Sequence, residues 1–161
     1  MDVRPALKRQ YHAVLAMLKD AVEQWPEELW EKSNGEVAAW LVAYHTLRVT
    51  HLYLGKDSDS HVPWEKHRES CRFVGTPKDS ETIVPYTKME ILAYWKICEE
   101  AVDGAVDVMD LERQECGFSW YKMPKLDHQF VNLRHAQHHT GILAARLRRL
   151  TGKEVKWVGQ V

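Results

Sequence analysis

The sequence predicts an all-α protein, a four-helix bundle with a long connection between its second and third helices. Three observations predict it. Apolar residues recur at helical spacing in four segments of about 20 residues each, and the period-2 alternation of strands is hard to find anywhere. Start and stop signals bracket those segments. Each amphipathic helix can bury its apolar stripe only against its neighbours, which makes a bundle the economical architecture. The 161 residues fall within the roughly 100 to 200 of one domain, so residues 1–161 read as a single unit.

The first helix is expected from Arg4 to Gln24, with Asp2 as cap, Pro5 in the first turn and Leu7, Tyr11, Val14, Leu18 and Val22 as its stripe. Trp25-Pro26 stops it. Ser33-Asn34-Gly35-Glu36 has capping-box spacing and announces a second helix that reaches Leu54, before Gly55 and the polar stretch after it. Thr87-Lys88-Met89-Glu90 opens the third in the same way, and it extends to about Met109. The fourth runs from Lys125 to Leu150 and ends in Arg146, Arg148 and Arg149 followed by Gly152, residues that suit a helix C-terminus. A short first link implies that the first two helices are antiparallel neighbours. The second link, residues 55–86, spans about 32 residues, against helices about 30 Å long. It can cross the bundle and leave the second and third helices parallel, or fold over one end as a lid, with Trp64 and Phe73 available to line an apolar pocket.

Composition narrows the function classes. Lys and Arg number 22 against 23 Asp and Glu, a net charge of −1, which does not suit a protein that grips a phosphate backbone; no nucleic acid partner is expected. No apolar run approaches the roughly 18 to 20 residues of a membrane span, and the first residues lack the apolar stretch of a signal peptide. A soluble, cytoplasmic protein is expected. Cys71, Cys98 and Cys116 are odd in number, far apart and free of any CxxC, so reduced structural thiols are expected rather than disulfides or a cysteine zinc site.

Nine histidines in so short a chain are the unusual feature. His135 and His139 have the i, i+4 spacing that puts two imidazoles on one side of a helix, although about 0.5 such pairs arise by chance at this composition. With His135 at 0° and steps of 100°, His139 falls at about 40°, Val131 at about −40° and Ile142 at about −20°, so both imidazoles lie in an apolar stripe. On the second helix His45 is centred among Ala38, Leu41, Val42, Val49 and Leu52, all within about 60° of it, whereas His51 falls at about −120° and is not assigned as a ligand. Three imidazoles from two helices could therefore converge and bind a divalent ion with at least one coordination position left open. The alternative is three core histidines, each bonded to a neighbour such as Asn132 or Tyr44, and spacing alone does not choose between them.

His128 shares the face of His135 but lies about 10 Å along the axis, too far for the same site. His138, at about −60°, is expected to face the site rim or a neighbouring helix, and His12, His61 and His67 to lie on the surface or in loops. Trp25, Trp30, Trp40, Trp95 and Trp120 read as core or interface packing.

Ala43-Tyr44-His45-Thr46-Leu47 through Tyr53-Leu54, and Asn132-Leu133-Arg134-His135-Ala136-Gln137-His138-His139-Thr140-Gly141, resemble the DinB-like superfamily of DNA-damage-inducible-type proteins. The resemblance covers nearly the whole chain in helix order and loop lengths. It implies a four-helix bundle with a long link after the second helix, and a metal held by one His of that helix and a His-x-x-x-His pair of the fourth. Carried over residue by residue, the ligands are His45, His135 and His139. Thr140-Gly141-Ile142 follows His139 where many relatives have Arg-Gly-Gln, so substrate contacts do not carry over.

Two functions follow as expectations. The first is a metal-dependent enzyme, a hydrolase or low-molecular-weight-thiol S-transferase acting on a small-molecule substrate, with one zinc or nickel ion per chain; the thiol-transferase branch is what the resemblance implies. No carboxylate can be named as its general base, and Asn132 is a candidate only for supporting the ligands. The second is a non-enzymatic metal-binding bundle, compatible with a homodimer, whose ion ties two helices together.

Overall fold

The computed structural model describes residues 2–33, 35–71 and 83–159, and these contain α-helix and one 3-10 turn but no strand. The helices are α1 (Arg4–Gln24), α2 (Glu27–Trp30), α3 (Ala39–Leu54), α4 (Lys88–Val108) and α5 (Lys125–Thr151), with the 3-10 turn at Glu69–Cys71. Asp2 accepts the Arg4 amide, although Val3 occupies the cap position of α1. Thr87 and Glu90 form a complete capping box on α4, and Gly152 ends α5 with φ +75°.

Two helical expectations need correction. The short helix α2 follows Pro26, with Glu27 and Glu28 in its only turn; that combination of Pro and early acids was a start signal. The next helix begins at Ala39 rather than at the Ser33 to Glu36 box. The Glu36 carboxylate is instead held by Arg146 at 2.8 Å and Arg149 at 2.9 Å, at the far end of α5. Asn34 and Phe73, which figured in the expected cap and pocket, lie outside the described residues.

The four long helices pack in a cycle, α1 on α4, α4 on α3, α3 on α5 and α5 on α1. Cross-links set their directions. Lys8 meets Asp107, His12 meets Glu99 and Asp103, and Trp95 Nε1 donates to the Leu15 carbonyl, so α1 and α4 are antiparallel. Asn132 bonds the Thr50 carbonyl and Gln129 the Tyr53 carbonyl, while Arg146 reaches Val37, so α3 and α5 are antiparallel too. Trp40 touches Tyr86, and Cys98 Sγ faces the Leu47 carbonyl, which makes α3 and α4 parallel. The second link therefore connects parallel helices, and α1 and α3 are antiparallel but stand on opposite corners of the cycle rather than side by side.

The core runs along the cycle through Tyr11, Leu15, Leu18, Tyr44, Leu47, Ile91, Tyr94, Val102, Leu143 and Leu147. Trp25, Trp30 and Trp40 are buried in it, and Trp64 stacks on Tyr94 at 4.5 Å. Trp120 is half exposed and so stands outside the core. All three cysteines are buried and free. Among the described residues no helix is long and apolar enough to cross a membrane.

Candidate metal centre

Facing turns of α3 and α5 carry the three histidines singled out from the sequence. His45 Nε2 and His135 Nε2 are 3.0 Å apart, and one nitrogen from each of His45, His135 and His139 lies within 4.8 Å of the other two. Ring centroids are separated by 4.5 to 5.0 Å. The antiparallel crossing supplies this geometry: one helix contributes a single imidazole, and the other contributes a pair one turn apart.

A tetrahedral ion with bonds of about 2.0 to 2.1 Å holds its nitrogens about 3.4 Å apart, so small ring movements bring all three onto one ion. The three are placed to hold a metal. Their chemistry fits as well. Burial, with the neighbouring histidines adding to it, pushes His135 down to about 3 and His139 down to about 4, so both rings are neutral at pH 7 and offer lone pairs. The Nδ1 atoms of His135 and His139 are buried without a hydrogen-bond partner.

The remaining candidates sort themselves away from this point. His51 Nδ1 meets the Tyr94 hydroxyl at 3.2 Å and its ring faces His61. His67 bonds Tyr44 and Glu69. His12 is not a plain surface residue, since it bridges α1 and α4 through Glu99 and Asp103. His138 is exposed beside His139. Asn132 serves the Thr50 carbonyl from a fully buried position. His128 is fully buried in a box of Tyr53, Phe118 and Tyr121, at 4.4, 4.8 and 5.3 Å between ring centroids.

A cavity of about 350 Å³ opens beside His45 and His135. Its other walls are Arg48, Val49, Leu52 and Tyr53 of α3 and Trp120 and Tyr121 of the segment between α4 and α5. Among the described residues the link after α3, the expected wall, contributes no lining side chain: Trp64 instead packs with Tyr44, Tyr86 and Tyr94 on the side of α3 that faces α4. Two devices that sequence reasoning missed hold the actual wall. The buried Lys125 ammonium donates to the carbonyls of Gly55, Lys56 and Cys116 at 2.6, 3.2 and 3.2 Å. Gly117, at φ +89°, approaches so closely that an added Cβ would stand 2.4 Å from the Lys56 oxygen, and its carbonyl accepts the Ser58 amide. The wall is further tied down by Trp120 Nε1, which donates to the Tyr53 hydroxyl at 3.1 Å. A positive-φ glycine next to a cysteine and an aromatic run was the one signal available.

Compared with protein-family models, curated proteins and solved structures, the chain matches none.

Proposed function

We propose that the protein is a divalent-metal-binding bundle of DinB-like type and a metal-dependent enzyme, a hydrolase or a low-molecular-weight-thiol S-transferase. The observation that carries this reading is the three-imidazole cluster opening onto a cavity rather than being sealed by side chains. A structural ion is usually closed in by four protein ligands, whereas three ligands beside an open space leave room for a reacting molecule. The segments around His45 and His135 that resemble the DinB-like superfamily support the same reading.

His45, His135 and His139 would hold a zinc or nickel ion. Bound there, the ion supplies Lewis acidity, which lowers the pKa of a coordinated thiol or water. The chain itself does the rest. Neutral His135 and His139 leave the positive charge undiluted. Leu52, Tyr53, Trp120 and Tyr121 give the cavity apolar walls that exclude water from a bound substrate.

Metal analysis of the purified protein and its variants tests this. About one divalent ion per chain is expected, with His45→Ala, His135→Ala or His139→Ala each lowering occupancy strongly and His51→Ala leaving it unchanged. Loss of metal in His51→Ala with retention in His45→Ala overturns the ligand set. A metal-loaded protein inert in a screen of thiol conjugation and ester hydrolysis, and unfolded by chelation, leaves the structural-ion bundle instead.

A further inference from the structure

We propose that Arg48 is the anion-recognising residue of this cavity, and that the substrate is a small molecule carrying a carboxylate at one end of an apolar body. This rests on the metal reading above and adds the class of molecule that enters. Arg48 lies three residues after His45, one turn on and about 4.5 Å along the helix, and lines the same cavity as His45 and His135. It is half-buried, yet no Asp or Glu among the described residues lies within ion-pair distance of it. Three other buried or half-buried arginines are engaged: Arg146 pairs with Glu36, Arg4 with Asp2 and the Met109 carbonyl, and Arg68 with the Val84 carbonyl.

A guanidinium partly withdrawn from water and facing no counter-charge is a ready partner for a ligand anion that accepts its parallel N–H pair. The walls reinforce the choice. Among the described residues no acidic side chain lines the cavity, so Arg48 and a divalent ion would both draw an anion inwards. Tyr53, Trp120, Tyr121, Leu52 and Val49 leave the rest of the space apolar. At about 350 Å³ the space lies near the lower end of small-molecule sites, roughly 300 to 1,000 Å³, which suits a compact ligand and not a polymer. A carboxylate on Arg48 places the far end of such a molecule towards the three imidazoles, one helical turn away.

The test uses cobalt(II)-loaded protein, in which thiol binding is read from the visible absorption of the ion. Two thiols of equal length are titrated, 3-mercaptopropionate and its uncharged amide. Wild type is expected to bind the acid at least tenfold more tightly than the amide. Arg48→Met should bring the two affinities within about twofold while cobalt content and helicity stay unchanged, and Arg48→Lys should restore part of the preference, since a point charge replaces a bidentate one. Arg48→Gln is the second neutral variant should the Met form fold poorly. An acid preference that survives in both neutral variants, or that is absent in wild type, overturns the assignment of Arg48 and leaves the metal site standing. Failure of wild type to take up cobalt overturns both.

Discussion

Lys125 and Gly55 lie 70 positions apart in the chain and are joined at 2.6 Å, the ammonium at the first turn of α5 closing the carbonyl just past the last turn of α3. Two further carbonyls, of Lys56 and Cys116, complete its three donors. One side chain thus terminates α3, starts α5 and fastens the segment that walls the cavity. Lys125→Met keeps the apolar stem but strands three carbonyls, so a loss of about 2 to 4 kcal/mol in urea unfolding is expected. An unchanged midpoint would show that water replaces the ammonium freely.

The approach of Gly117 to Lys56 gives a second, sharper expectation. Gly117→Ala meets both a positive φ and an oxygen at 2.4 Å, and a cost above about 2 kcal/mol is expected. Gly35→Ala is the control, because φ is +80° there with nothing within 4 Å of the added carbon; about 1 kcal/mol is expected. Equal costs for the two would mean that backbone preference alone acts at Gly117.

Metal removal should act on stability by mass action. An ion that binds only the folded chain contributes about 2.7 kcal/mol at a hundredfold excess over its Kd, or about 5 to 10 °C in Tm for a chain of this size. Chelation should lower Tm by that order while the helices persist at room temperature, because the main apolar cluster joins all four long helices without the ion. Circular dichroism melts with and without chelator measure it.

His128 makes a pH prediction. Burial first, and the Lys125 charge second, push its imidazole down to about 4 from an ordinary 6.5. The folded chain thus stays unprotonated there while the unfolded chain takes up a proton. Stability attached to the neutral ring is present above pH 6.5 and is lost as pH falls towards 4, by up to about 3 kcal/mol. His128→Phe should remove that share of the acid sensitivity, since the box of Tyr53, Phe118 and Tyr121 accepts an aromatic ring. Denaturation curves at pH 7, 5.5 and 4.5 for both proteins test the difference, and parallel profiles would refute it.

Trp120 offers a test of the cavity wall. Trp120→Ala deletes a half-exposed ring that lines the cavity without contributing a candidate ligand atom. Metal content should remain within error of wild type while the affinity for small thiols changes several-fold. Lost metal would mean that the wall also supports the ligands.

The helices carried their own signals, and the tertiary choices did not. Arg4–Gln24 is bounded by a proline at one end and Trp25-Pro26 at the other, and Lys88–Val108 by a capping box that forms as spaced. Helical projection grouped His45, His135 and His139 because a ligand site between helices must lie on their facing stripes. Glu36 shows the limit. Its local cap spacing lost to Arg146 and Arg149, more than 100 residues later, and nothing nearby in sequence marks that competition. The described part of the cavity wall escaped the sequence for the same reason. A link of about 32 residues draws attention by its length, whereas Trp120 and Tyr121 are held in place by contacts of Lys125 and Gly117 with residues about 60 to 70 positions away.

The diagonal placement of α1 and α3 has a counterpart in α4 and α5, which likewise share no substantial interface. Cut between α3 and α4, the chain yields two halves whose four long helices have their partners only in the other half. Neither half is a hairpin with a core of its own, so separate expression should give unfolded pieces that fold on mixing, and the intact chain should unfold in one transition. The same arrangement lets two copies trade halves through that link and rebuild every helix contact. In such an exchanged pair each three-histidine cluster would take His45 from one protomer and His135 and His139 from its partner.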